Sequence, residues 1–294
     1  MLDTLHPSLL ALISAFNIAI ARTLYRGAML SLSLGPGTTA LASGSITLVI
    51  VWIFYFFTGR VEHWPFQGIA WFVIVGILGG LGGRYLSFFS IKEIGLARTS
   101  VLMQTSLVWS TGMAIVLLGE RLNLAIGAGT LAIMAGSILL VHRGKEDPTE
   151  TPFAYYLIPL AAAFFLGLSH LLRKFGFFWI NSAPLGLSIS NTVSVLTMIV
   201  ILPFTKERMS GSWGRRPLLC IVAGALFNFT SALLFWTAVR RGELVQVVPV
   251  TRIAVLLMIF TSWLFFRTQE KITAWVVYGG LLSVTGVFLV VWGK

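Results

Sequence analysis

The sequence predicts an all-α membrane protein: ten transmembrane helices, arranged as two inverted five-helix repeats. Three observations carry this expectation. They are a charge-poor composition, ten apolar stretches of spanning length, and landmarks in the first half that recur about 150 residues later. Of 294 residues, 57% are hydrophobic and 11% charged, and the mean hydropathy is +0.90. Soluble domains carry about 25% charged residues, and a water-soluble fold of this size has nowhere to hide so much apolar surface. The bilayer is the solvent. The net charge of +11 does not signal nucleic acid, because the basic residues sit mostly between apolar segments, where they meet headgroups and water. Cys220 stands alone, so it forms neither an intramolecular disulfide nor a metal cluster. The N-terminus lacks a basic leader, and the first apolar stretch is expected to be a retained span.

A spanning helix needs roughly 20 mostly apolar residues. Such stretches run over 6–25, 36–57, 66–90, 98–118, 122–141, 153–172, 183–204, 217–238, 245–266 and 272–292. Their length argues for helices, since barrel strands are short and alternate in polarity. The connections are short and polar. The most charged of them, residues 142–150, separates the two halves, 1–145 and 146–294.

Those halves resemble each other. Glu120, Gly129 and Gly136 are matched by Glu270, Gly279 and Gly286 at a shift of 150 residues. Arg22, Pro36 and Gly76 are matched by His170, Pro184 and Gly224 at a shift of 148. Five helices is an odd number, so the second copy must enter the membrane from the opposite face. Inverted repeats are a feature of secondary transporters, whose substrate site lies near the midplane between the halves.

The stretch Leu117-Leu-Gly-Glu120-Arg-Leu, followed by Gly127, Gly129 and Gly136, resembles the end of an EamA repeat of the drug/metabolite transporter superfamily. Residues 267–273 with Glu270, Gly279 and Gly286 resemble a second copy, although Gln269 replaces the expected glycine. The resemblance implies ten helices around a central cavity and names no substrate, since relatives handle amino acids, nucleotide sugars, phosphorylated sugars and drugs.

Ionisable groups inside a membrane are costly and mark candidate sites. Arg22, Arg84, His170 and Arg252 stand out. Arg252 falls near the middle of the ninth stretch, where a charge costs at least ~2.5–3.5 kcal/mol. All ten acidic residues lie at segment ends or in loops. That leaves carbonyls, water or an anionic ligand to satisfy Arg252, and the guanidinium fork suits carboxylate or phosphate. The alternative is a structural arginine. Arg84 follows the glycine run 79–83, which serves either to aim it inward or only to pack helices. Arg22 and His170, repeat mates near the ends of the first and sixth stretches, are expected to snorkel or to hydrogen-bond near the two mouths. A histidine there is also a candidate for proton coupling. Glu120 and Glu270 are expected to begin the fifth and tenth helices and to sit on those helix dipoles. Asn17, Gln104, Asn191 and Asn228 are neutral polar residues at plausible depth, and Tyr85, Trp109 and Trp236 are candidates to wall a pocket.

Enzyme chemistry has little to stand on, because the four histidines lie in different segments and no P-loop is present. No cofactor is expected. The expected partners are the bilayer and a small, anionic substrate, with the bacterial cytoplasmic membrane as location. An exporter of amino acids or amphipathic drugs, a lipid-phosphate flippase, and a membrane enzyme or scaffold are the competing readings. Counted by loop, 11 Lys and Arg fall opposite the termini and seven beside them, Arg173 and Lys174 included. That count favours external termini, whereas the resemblance implies cytoplasmic ones.

Overall fold

The computed structural model describes residues 5–32, 36–58, 63–87, 89–90, 99, 102–141, 152, 154–205, 214–254, 256–257 and 274–293. Among these residues every regular element is helical. The helices are α1 (Pro7–Leu32), α2 (Pro36–Thr58), α3 (Phe66–Leu78), α4 (Ser106–Leu118), α5 (Leu124–Val141), α6 (Ala154–Trp179), α7 (Ala183–Ile201), α8 (Arg215–Arg241), α9 (Leu244–Thr251) and α10 (Ala274–Trp292). Six helical stretches are long and apolar enough to cross a membrane; they lie along α1, α2, α3, α6, α7 and α8. The described parts of α4, α5 and α10 contain shorter apolar helices.

Local chemistry sets several boundaries. Pro36 opens α2 and Pro184 lies in the first turn of α7, where a missing N–H costs nothing. Ser182 caps α7 by accepting from Leu185 N at 3.4 Å. Gly119, at φ 67°, ends α4 in the left-handed conformation that glycine adopts freely. α3 continues as a π-helical stretch, Gly79–Leu86. Its glycines serve close packing: a Cβ on Gly80 would meet the Ser194 backbone of α7, and one on Gly82 would strike Phe165 of α6.

The principal helix pairs are α1 with α8, α5 with α10, α3 with α6 and α7, α4 with α6, and α2 with α7 and α8. α1 also packs on α9. Exchanging the first five helices for the last five leaves this set unchanged. The α1–α8 pair becomes α6–α3, α1–α9 becomes α6–α4, α2–α8 becomes α7–α3, and α2–α7 and α5–α10 map onto themselves. Glycine positions show the same exchange. A Cβ on Gly129 would lie 2.5 Å from the Gly286 carbonyl oxygen, and one on Gly136 would lie 2.6 Å from that of Gly279. One index rises as its partner's falls, so α5 and α10 cross antiparallel at glycine-to-glycine contacts. Between α1 and α8, Ser14 and Ser231 donate to each other's backbone carbonyls at 2.8 Å. Reciprocal hydroxyl bonds of this kind join helices where water is absent.

Candidate functional site

The site is built around two interruptions. Pro249 lies inside α9 and cannot donate to the helix ladder. Two residues on, the helix gives way to a turn in which Arg252 N donates to Pro249 O at 2.9 Å and Ile253 N to Val250 O at 3.3 Å. In the first half, residues 102–103 are helical, 104–105 form a turn, and α4 begins at Ser106. There Thr105 N donates to Leu102 O at 3.1 Å and Leu107 N to Gln104 O at 3.0 Å. Gln104 and Arg252 are 148 residues apart, the shift that relates Arg22 to His170. Helices broken at membrane depth are where transporters place substrates.

Arg252 joins the two interruptions. Its Nη2 donates to Ser106 Oγ at 2.7 Å, and that hydroxyl donates to Met103 O at 2.7 Å. Arg252 is half-buried, and its Nε has no partner among the described residues. The charge of Arg22 on α1 reaches it, and Arg252 in turn reaches His170 on α6. Arg22 is exposed. Arg173, one turn beyond His170, lies 3.2 Å from His170 Nδ1 through its Nη1. Its guanidinium sits 4.3 Å from the Trp236 ring centroid and 5.1 Å from that of Phe235. His170 and Arg173 thus meet on α6, with Arg252 in electrostatic range of His170 and Arg22 in range of Arg252. No described carboxylate pairs with any of them; Glu120 and Glu243 are the described acids, and both lie at helix ends.

Residues 7–142 match the EamA-like transporter family. A relative in Bacillus subtilis (strain 168), the uncharacterised transporter YoaV, is 22% identical over 226 residues, covering 74% of each chain. A solved crystal structure 18% identical to this chain covers 96% of it and 95% of its own length, with a TM-score of 0.78. The fold is thus shared over nearly the whole chain. The EamA-like match over residues 7–142, the YoaV relative and the long apolar helices support a multi-pass integral membrane protein that transports small molecules.

The helix lengths correct two expectations. α6 spans to Trp179, so His170 lies well inside its span rather than near its end, whereas Arg22 stays near the end of the apolar span Pro7–Tyr25 although α1 continues to Leu32. His170 is 6% exposed and packs edge-on against Phe235. The longer α6 also moves Arg173 and Lys174 from a loop into the helix. Arg173 was the residue that sequence reasoning missed, and its signal was the apolar run 175–180 that resumes beyond it.

Glu120 was expected to begin α5, but that helix starts at Leu124 and the Glu120 carboxylate serves another helix. Oε1 accepts from Leu244 N at 3.0 Å and Oε2 from Val245 N at 2.9 Å, capping α9 across the boundary between the halves. The N-terminal amides of α9 are its free donors, so an acidic side chain is favoured there. Lys174 donates to Val239 O and Gly242 O at 2.9 and 2.5 Å, closing the C-terminus of α8 beside it. Glu270 lies outside the described residues.

The remaining candidates divide. Gln104 is 3% exposed and sits at the first interruption. Trp236 is buried against Phe72 and Phe177 and supports Arg173 rather than walling a pocket. Trp109 is exposed on α4 and meets Phe164 of α6 edge-on. Tyr85 stacks on Phe89. The Asn17 amide donates to Ile13 O of its own helix, Asn228 to Thr47 Oγ1 at 3.5 Å, and Asn191 to Gly44 O. Arg84 lies on the π-helical stretch, and its side chain is outside the described residues.

Proposed function

We propose that this EamA protein is a secondary transporter of a small organic anion, a carboxylate or phosphate ester, working by alternating access between two inverted five-helix repeats, 1–145 and 146–294. The observation that carries the reading is Arg252. Its guanidinium stands at a helix interruption, bonded to Ser106 across the halves, with Nε unpaired among the described residues and Arg22 and His170 within electrostatic reach. Like charges with no described carboxylate beside them repel one another, and an anion between them relieves that repulsion. Support for the inverted repeats comes from the interchange of helix partners and the antiparallel glycine crossing of α5 and α10. Two similar halves can rock about the shared site. The bacterial cytoplasmic membrane fits the Bacillus relative.

Thermal unfolding of the purified protein against matched organic anions, zwitterions and cations tests this reading. A ligand that binds only the folded protein raises its midpoint. Stabilisation by anions, lost in Arg252→Ala, is the expected result. Stabilisation by cations or neutral amphiphiles alone would make the arginines structural.

A further inference from the structure

We propose that Gln104 is a specificity-determining residue and that the transported anion carries a hydrogen-bond donor, a hydroxyl or an ammonium, close to its acid group. This rests on the anion reading and refines it.

The local hydroxyls at the first interruption are already engaged. Thr105 Oγ1 donates to Leu102 O and Ser106 Oγ to Met103 O, both at 2.7 Å, so they satisfy carbonyls that the broken ladder frees. Gln104 takes no part in this. Its side chain is 3% exposed, and its Oε1 has no partner among the described residues. A buried amide left unpaired is costly, and native proteins rarely keep one without a use.

The placement gives the unpaired acceptor its meaning. Gln104 is the repeat mate of Arg252, two residues before the Ser106 that Arg252 holds. The same position in the two halves is thus a cationic donor on one side and a neutral amide on the other. An anionic group on the ligand answers Arg252, and a donor on the same ligand answers Gln104 Oε1. An anion lacking the donor leaves the acceptor buried and unpaired, and sites built to hydrogen-bond a substrate group discriminate strongly against analogues without it.

The test uses two matched series: propionate, lactate and alanine, and propyl phosphate with glycerol 1-phosphate. Dissociation constants are measured on the intact wild-type protein by calorimetry or by midpoint titration. The donor-bearing members are expected to bind at least about tenfold tighter. Lactate against alanine then tells hydroxyl from ammonium. Gln104→Leu is expected to abolish the preference while keeping anion binding, with Gln104→Met as the alternative if the first variant is unstable. Equal affinity within both series for the wild type overturns the proposal, as does a preference that survives either variant. Failure of every anion to bind while cations do would instead sink the anion reading on which it rests.

Discussion

Removing the Glu120 carboxylate releases the start of α9. In Glu120→Ala the amides of Leu244 and Val245 lose acceptors at 3.0 and 2.9 Å. Both residues are fully buried, so water replaces the carboxylate only if that end of the bundle opens. Hydrogen bonds to a charged group are worth about 1.5–3 kcal/mol each. Glu120 is half-buried, and solvent weakens the charge, so we take about 2 kcal/mol for the pair together. That is a factor of about 30 in the population with α9 released. The assay is labelling of Val245→Cys by a membrane-impermeant maleimide, with Cys220 replaced by serine. Where opening and closing outpace labelling, the rate follows the open population. A rise of about thirtyfold is expected in Glu120→Ala, and a smaller one in Glu120→Gln, which keeps one neutral acceptor. An unchanged labelling rate with an unchanged unfolding midpoint would refute the claim that Glu120 holds the two halves together here.

Three further outcomes follow from the packing. Gly129→Val and Gly136→Val place side chains against backbone carbonyls across the α5–α10 crossing; each should lower stability by about 1–3 kcal/mol, read as a fall in the unfolding midpoint. A double-mutant cycle of Ser14→Ala and Ser231→Ala should give a coupling of about 0.6 kcal/mol and below about 1.7, whereas zero coupling would deny the reciprocal bonds. Arg173→Lys keeps the charge but loses the planar face set on Trp236; a loss of about 1–2 kcal/mol in thermal unfolding is expected.

Much of the helical plan was legible because the bilayer demands long apolar stretches, and α1, α3, α5 and α7 begin within two residues of their expected starts. Helix ends were harder. His170 and Arg173 looked terminal because a basic residue in sequence reads as the edge of a span. In the fold, Arg173 is accommodated by two aromatic faces and His170, a compensation contributed largely by another helix. Arg252 was visible as an isolated charge among apolar neighbours, but its partner Ser106 lies 146 residues away. The interruption at Gln104–Thr105 has no proline to announce it, whereas Pro249 marks the one at Arg252. Glu120 was expected on the dipole of α5, yet the helix it caps is distant in sequence, and no local pattern reveals which amides a carboxylate will reach.

The most direct measurement of the central claim is counterflow in proteoliposomes loaded with the anion that most raises the unfolding midpoint. The account predicts uptake of the labelled anion driven by unlabelled anion inside, abolished in Arg252→Gln while the variant remains folded. Full counterflow in Arg252→Gln, or lipid headgroup flipping with no anion flux in the wild type, would contradict it.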